Sequence, residues 1–166
     1  SEAKQFENDS LQFAVHDMRE VIPNEQFDGV FNLFTSFGYF DSIDENQKAV
    51  DSIAKMLKPK GILVIDFMNA HQVVENLVES ETKLVDGITF NIERNFDGKH
   101  IFKRISFNAD GQSHSFTERV QALTLEDFFS LLDAASFKIL DSFGNFDLKP
   151  FEEMTSDRLI IIAQLK

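Results

Sequence analysis

The 166-residue sequence contains no cysteine, no tryptophan and only one tyrosine, Tyr39, beside 19 phenylalanines. Without cysteine the chain can form neither a disulfide nor a thiolate metal site. The four histidines lack the spacing of metal ligands, so we expect no metal. No apolar run approaches the roughly 18 residues of a membrane-spanning helix. The polar start also lacks the apolar stretch of a signal peptide. We therefore expect a cytoplasmic protein that has no membrane partner.

Positive charge is scarce as well. The chain has 16 Lys and Arg against 28 Asp and Glu, which gives a formal net charge of −12. Such a surface repels phosphate backbones, so we expect no nucleic-acid partner. The best local cluster of basic residues, within 99–104, is typical of a solvated hairpin face.

Residues 27–69 predict one βαβ unit. Val30–Phe34 and Ile62–Phe67 are apolar runs typical of buried strands. The segment between them offers helix N-cap candidates over Asp41–Glu45 and apolar residues at helical spacing. Because a helix separates the two strands, we expect them to lie parallel. The aromatic residues of 34–40 then follow the carboxyl end of the first strand, where open parallel sheets bind ligands.

The remaining segments predict an α/β chain with an antiparallel insertion. We interpret residues 1–166 as a single domain and the Asp-Gly pairs within it as hairpin turns. The predicted elements are a helix tail over 1–8, a short strand over 11–15, a helix over 70–78, a three-stranded antiparallel β meander over 84–123 with turns at 97–98 and 110–111, a helix that begins at a capping box over 124–127, and strands over 137–143 and 158–165.

Three segments in this order, DMRE (17–20), NLFTSFGYF (32–40) and LKPKG (57–61), resemble class I S-adenosylmethionine-dependent methyltransferases of the small-molecule type. The sheet of that family has the strand order 3-2-1-4-5-7-6, with the last strand antiparallel. The resemblance implies a Rossmann-like α/β sheet that is N-terminally truncated, with its first two strands missing. The family's glycine-rich loop, ExGxGxG, has no counterpart, because no two of the seven glycines form G-x-G.

The resemblance also implies roles for individual residues. Asp17 would accept a hydrogen bond from the adenine amino group of S-adenosylmethionine, and Met18 would pack against the adenine ring. Asn32 and Leu33 would border the methionine part of this cofactor. The aromatic residues implied to face a small-molecule substrate are Phe37, Tyr39 and Phe40. The structural alternatives remain open: Asp17 as a turn residue, Asn32 as a sheet amide, and Met18 and the aromatic residues as core.

The implied function is S-adenosylmethionine-dependent methyl transfer to a small molecule, with this chain as the C-terminal part of the enzyme and no catalytic residue singled out. The alternative is a non-catalytic fragment of the fold that does not bind the cofactor on its own. An unrelated response-regulator-like module fits less well, because such domains alternate strand and helix throughout. Missing strands would leave the strand over 30–34 with a bare edge. We expect that edge either to pair with the strand over 11–15 or to form a homodimer.

Overall fold

A computed structural model describes residues 2–166, in which eight strands form two four-stranded sheets. Glu2–Phe6 form a 3₁₀ helix within the segment 1–8 for which the sequence predicted the tail of a helix. The elements that follow are β1 (Phe27–Asn32), α1 (Ile43–Met56), β2 (Leu57–Met68), α2 (Ala70–Glu75), β3 (Ser80–Val85), β4 (Ile88–Phe96), β5 (His100–Ala109), β6 (Gln112–Gln121), α3 (Leu125–Ala134), β7 (Phe137–Phe143) and β8 (Arg158–Leu165).

The first sheet has the order β1-β2-β8-β7 and contains the predicted βαβ unit. β1 and β2 are parallel, with Asn32 opposite Ile65. β8 is antiparallel to both of its neighbours, and Ile161 lies opposite Ile65. This order and these directions are those of strands 4-5-7-6 in the fold that the sequence resembles.

Helix α1 begins where its sequence predicts. The Ser42 side chain accepts a hydrogen bond from the backbone N–H of Glu45, as an N-cap residue does. The buried face of α1 consists mainly of the apolar residues Ala49, Val50, Ile53 and Met56. Within β2, Lys60, with a φ of 64°, and Gly61 form a tight turn between the paired residues Leu57 and Ile62. A Cβ on Gly61 would lie only 2.9 Å from the carbonyl oxygen of Lys58, so the turn requires glycine.

The second sheet is a meander of four antiparallel strands in the order β3-β4-β5-β6. The prediction of three strands is therefore wrong, because the sheet has one additional strand. The additional strand, β3, is joined to β4 by Asp86 and Gly87, whose φ angles are 49° and 79°. Both angles are positive, as a type I′ hairpin turn requires, and Asp-Gly is the same signal that predicted the other two turns.

The predicted strand over residues 11–15 does not form. Leu11 makes only an isolated bridge to Asn8, and Val15 is fully exposed. No strand of the described part of the chain lies beside this segment, and a lone strand has no partner for its backbone hydrogen bonds. The predicted pairing with β1 is thus wrong, and β1 is an edge strand of its sheet. The homodimer through this edge stays a prediction.

Both sheets contribute to one hydrophobic core. Phe67 of β2 packs edge to face against Phe128 of α3, with ring centroids 5.2 Å apart. Ile101 and Val120 of the second sheet belong to the same buried cluster. Residues 2–166 include no helix that is long and apolar enough to cross a membrane.

Candidate active site

The candidate site lies where β1 and β2 end. Because the two strands are parallel, their carboxyl ends meet at one edge of the sheet, the usual ligand-binding edge of such sheets. Residues 33–41, which we call the aromatic loop, leave this edge and lead to α1. Three polar side chains are buried at this edge: Asn32, Asp66 and Asn69.

Asn32 carries a buried oxygen that has no partner. Its side chain is the last of β1 and is only 9% exposed. Among the described residues no donor reaches its Oδ1. A buried acceptor left unpaired costs free energy, so the site favours a ligand that donates a hydrogen bond here. Leu33, the next residue, is 39% exposed and presents an apolar surface to the same edge.

The start of the aromatic loop is strained and is held by a buried ion pair. Phe34 and Thr35 have φ angles of 58° and 56°, which non-glycine residues rarely adopt. Asp66 accepts hydrogen bonds from both backbone N–H groups, at 2.8 Å through Oδ2 and 3.0 Å through its carbonyl oxygen. Arg158 donates to Asp66 Oδ1 at 2.5 Å and to Thr35 Oγ1 at 3.3 Å. The Asp66–Arg158 pair therefore fixes the loop as it leaves β1.

The second half of the aromatic loop alternates between the core and the surface. Phe37 has no exposed surface, and its ring centroid lies 5.6 Å from that of Phe128. The structure thus assigns Phe37 to the core, where it cannot touch a substrate, contrary to its predicted role. Tyr39 is 49% exposed and Phe40 is half-buried, so both can contact a ligand. Phe34 is the most exposed ring of the loop, at 78%.

Arg19 brings the predicted adenine contact close to the aromatic loop. Its guanidinium donates to Asp17 Oδ1 at 3.0 Å and to Oδ2 at 2.5 Å. It also donates to Glu45 Oε1 at 2.5 Å and lies 4.9 Å from the ring centroid of Phe40. The Arg19 guanidinium therefore contacts both Asp17, which is predicted to bind the cofactor, and Phe40, which is predicted to face the substrate. Met18 is partly buried and packs against the core.

Two ionisable groups of the site have shifted pKa values. The hydrogen bonds from the Arg19 side chain and backbone N–H lower the pKa of Asp17 to about 2. Asp17 is therefore ionised at neutral pH and acts only as an acceptor. Burial, followed by the negative charge of Glu118, raises the pKa of Tyr39 above its ordinary value. Tyr39 therefore keeps its proton at neutral pH and can donate a hydrogen bond.

The fold and this edge define the class of the protein. The strand order β1-β2-β8-β7, with β1 and β2 parallel and β8 antiparallel to both neighbours, is the order that the sequence resemblance implies for the second half of a methyltransferase sheet. The sequence matches the family described as "Methyltransferase domain" over residues 1–118, which is well over half of the chain. The chain belongs to this family. Comparison with curated protein sequences gave no significant match.

Solved structures of methyltransferases share this fold. An S-adenosylmethionine-dependent methyltransferase from Clostridium acetobutylicum superposes with a TM-score of 0.82 at 20% identity, over 92% of this chain and 63% of that chain. The CcbJ methyltransferase from Streptomyces caelestis gives 0.77 at 14% identity, over 91% and 62%. The sugar N-methyltransferase KedS8 from Streptoalloteichus gives 0.72 at 19% identity, over 91% and 61%. The chain thus spans less than two thirds of the length of these proteins.

The residues at this edge suit the family cofactor, S-adenosylmethionine. The unpaired Asn32 Oδ1 is an acceptor for the ammonium group of its methionine part. The ionised carboxylate of Asp17 is an acceptor for an adenine amino group. Met18 and Leu33 supply apolar surface beside these acceptors. The donor and acceptor types therefore fit, although the roles of the four residues stay predictions.

Sequence reasoning missed three residues that organise the site: Arg19, Gln121 and Arg158. Arg19 lies inside the DMRE motif, so its proximity to Asp17 was a usable signal. Arg158 donates to Asp66, which lies 92 residues earlier in the chain. Gln121 donates to the carbonyl oxygen of Phe40, which lies 81 residues earlier. A single sequence carries no signal for contacts of that separation.

Proposed function

We propose that this chain forms part of an active site for S-adenosylmethionine-dependent methyl transfer to a small molecule, on the side that faces the methyl acceptor. The observation that carries the proposal is the unpaired, buried Asn32 oxygen beside exposed apolar and aromatic side chains at the ligand-binding edge. S-adenosylmethionine, when bound, supplies an electrophilic methyl group on a sulfonium. The chain's own residues hold the two reactants in line and exclude water, which accounts for much of the barrier reduction in such transfers.

Each half of the site has its own task in this proposal. Asn32 accepts a hydrogen bond from the cofactor's ammonium group and orients its methionine part. Tyr39 and Phe34 offer exposed aromatic rings, which attract a positively charged group through their π faces. Tyr39, protonated at neutral pH, also donates a hydrogen bond to the methyl acceptor. No residue is assigned the role of general base.

A small acceptor is supported by the functions of two proteins with the same fold. One is the sugar N-methyltransferase KedS8, and the other is CalS10, an amino pentose methyltransferase of calicheamicin biosynthesis. The acidic surface of this chain, with its net charge of −12, disfavours a nucleic-acid acceptor. The competing proposal is a fragment of the fold that does not bind the cofactor on its own. The open edge of β1 and the absence of G-x-G favour it.

Isothermal titration calorimetry with S-adenosylhomocysteine separates the two proposals. We expect saturable heat from the whole chain, and a clear loss of affinity in Asn32→Ala, because this variant lacks the unpaired oxygen. The matched control is Asn108→Ala, an asparagine exposed on β5, which should bind like the unchanged chain. Absence of heat at millimolar ligand would establish the non-binding fragment. Equal affinity of both variants would remove Asn32 from the site.

A further inference from the structure

Tyr39 lies between two backbone carbonyls that a single residue holds. The backbone N–H of Gln121 donates to the carbonyl oxygen of Gly38 at 2.8 Å. The side-chain Nε2 of the same residue donates to the carbonyl oxygen of Phe40 at 2.9 Å. Gln121 is the last residue of β6, so the end of the antiparallel sheet is hydrogen-bonded to the aromatic loop on both sides of Tyr39.

The orientation of the Gln121 amide is fixed from its other side. Its Oε1 accepts a hydrogen bond of 2.7 Å from Nδ2 of Asn46 on α1. Gln121 is 2% exposed and Asn46 is fully buried, so water does not compete for these bonds. Because Asn46 donates to the oxygen, the nitrogen of the Gln121 amide must face Phe40.

The backbone before Tyr39 is closely packed at Gly38. Gly38 has a φ of +83°, a conformation that glycine adopts without steric cost. A Cβ built on Gly38 would lie 3.2 Å from Val120 Cγ2 and 3.3 Å from Phe67 Cζ. The loop is therefore packed tightly at Gly38 and hydrogen-bonded on both sides of Tyr39.

Charged groups from the antiparallel sheet surround the same segment. Glu118 of β6 lies near enough to Tyr39 for its charge to raise the tyrosine pKa, and Lys103 of β5 pairs with Glu118 at 3.1 Å. Arg119 forms an ion pair with Asp41 at the end of the aromatic loop. The position of Tyr39 thus determines both its exposure and its distance from Glu118.

We propose that Gln121 is the positioning residue for Tyr39, and that through it the antiparallel sheet sets where this tyrosine stands at the site. The importance of Tyr39 for a methyl acceptor rests on the proposed function. The positioning itself does not, because it can be measured without cofactor or substrate.

Tyr39 reports on its own position, because it is the only tyrosine and the chain has no tryptophan. The test compares Gln121→Leu with Gln164→Leu, whose amide bonds to the Lys60 carbonyl at an exposed site of the sheet. Phenolate absorbance during a pH titration gives the Tyr39 midpoint, and acrylamide quenching of tyrosine fluorescence gives its exposure. In Gln121→Leu we expect the midpoint to fall toward that of free tyrosine and quenching to rise. Gln164→Leu should match the unchanged chain.

A double variant separates positioning from simple loss of stability. Asn46→Leu combined with Gln121→Leu removes both partners of the buried amide pair, which restores much of the stability that the single change loses. We expect its Tm to recover while the Tyr39 midpoint stays low, since the Phe40 carbonyl remains without its donor. Recovery of Tm and midpoint together would reduce Gln121 to a structural role and overturn the proposal.

An unchanged Tyr39 midpoint in folded Gln121→Leu would overturn the proposal as well. If the single variant does not fold, the double variant serves for the same titration. Calorimetry with S-adenosylhomocysteine decides the proposed function independently. A shifted midpoint in a chain that binds no S-adenosylhomocysteine would support the positioning and contradict the function, and the reverse pair of results would do the opposite.

Discussion

The buried contacts that hold the two ends of the aromatic loop differ in chemistry. At its start, the buried Asp66–Arg158 ion pair holds Phe34 and Thr35 in a backbone conformation unfavourable for both. At its end, the neutral amides of Gln121 and Asn46 hold a stretch whose positive φ falls on glycine. The charged contact thus compensates backbone strain, whereas the neutral contact selects one position for a backbone that is not strained. Removing either contact should have different consequences.

Loss of the charged contact should have the largest effect. Asp66→Ala leaves the Phe34 N–H without its acceptor and the Arg158 guanidinium without its carboxylate partner. Breaking a buried pair from one side costs about 3–5 kcal/mol, and because Arg158 is 24% exposed we expect the lower part of this range. Urea denaturation followed by circular dichroism measures the free energy of unfolding.

The matched control for Asp66→Ala is Asp28→Ala. Asp28 pairs with Lys58 at 2.8 Å, but its side chain is 88% exposed, so water replaces the lost contact. Asp66→Asn adds a second comparison, because it keeps an acceptor for the Phe34 N–H and removes only the charge. Equal stabilities of Asp66→Ala and Asp28→Ala would mean that the ion pair does not hold the loop.

The neutral end is probed by a pair of glycine substitutions. Gly38 and Gly87 have nearly the same φ, +83° and +79°, but only Gly38 has atoms within 4 Å of the position of a Cβ. Gly87→Ala should cost about 1–2 kcal/mol, the penalty of a left-handed alanine. Gly38→Ala should cost about 1 kcal/mol more than that, because the added methyl overpacks the side-chain contacts with Val120 and Phe67.

The same denaturation experiment measures this difference. If the two substitutions cost the same, the close packing at Gly38 contributes nothing to the rigidity of the loop. If Gly38→Ala is the more costly, the neutral end depends on packing as well as on hydrogen bonds. The Tyr39 titration of Gly38→Ala then shows whether the loop moves to admit the methyl group.

The comparison also shows what a sequence can predict here. Local patterns predicted the βαβ unit, the cap of α1 and two of the meander turns, because each depends on residues close together in the chain. Asp86-Gly87 carried the same turn signal, so the fourth strand was predictable in principle. The prediction of a strand over 11–15 was wrong because a strand forms only beside a neighbouring strand, which the residues of 11–15 do not specify.

The site was predictable only in part, for the same reason. The aromatic loop and Asp17 follow from motifs, but the sequence could not distinguish Phe37, which is buried, from Tyr39, which is half exposed. Both are aromatic residues of one loop, and their burial depends on Phe128 and β6. Arg158 and Gln121 hold the loop from distant segments, so their roles become visible only in the folded chain.

The smallest effect is expected from an exposed version of the charged contact. Asp17 and Arg19 form an ion pair near the surface, where solvent screens the interaction. Arg19 also pairs with Glu45. The pKa of Asp17 is lowered from 3.8 to about 2, first by the Arg19 side-chain hydrogen bond and then by its backbone N–H. A lowered folded-state pKa stabilises the protein above the unfolded value of 3.8, and this contribution is lost as the pH falls toward 2.

Carboxyl carbon NMR across this range should find Asp17 still ionised near pH 3. Arg19→Gln should return its midpoint toward 3.8, because the guanidinium that donates to both carboxylate oxygens is gone. The unfolding free energy at neutral pH should change far less in Arg19→Gln than in Asp66→Ala. A midpoint near 3.8 in the unchanged chain would show that the surface pair does not persist in solution. Asp17 would then be free to accept a ligand's hydrogen bonds with both oxygens.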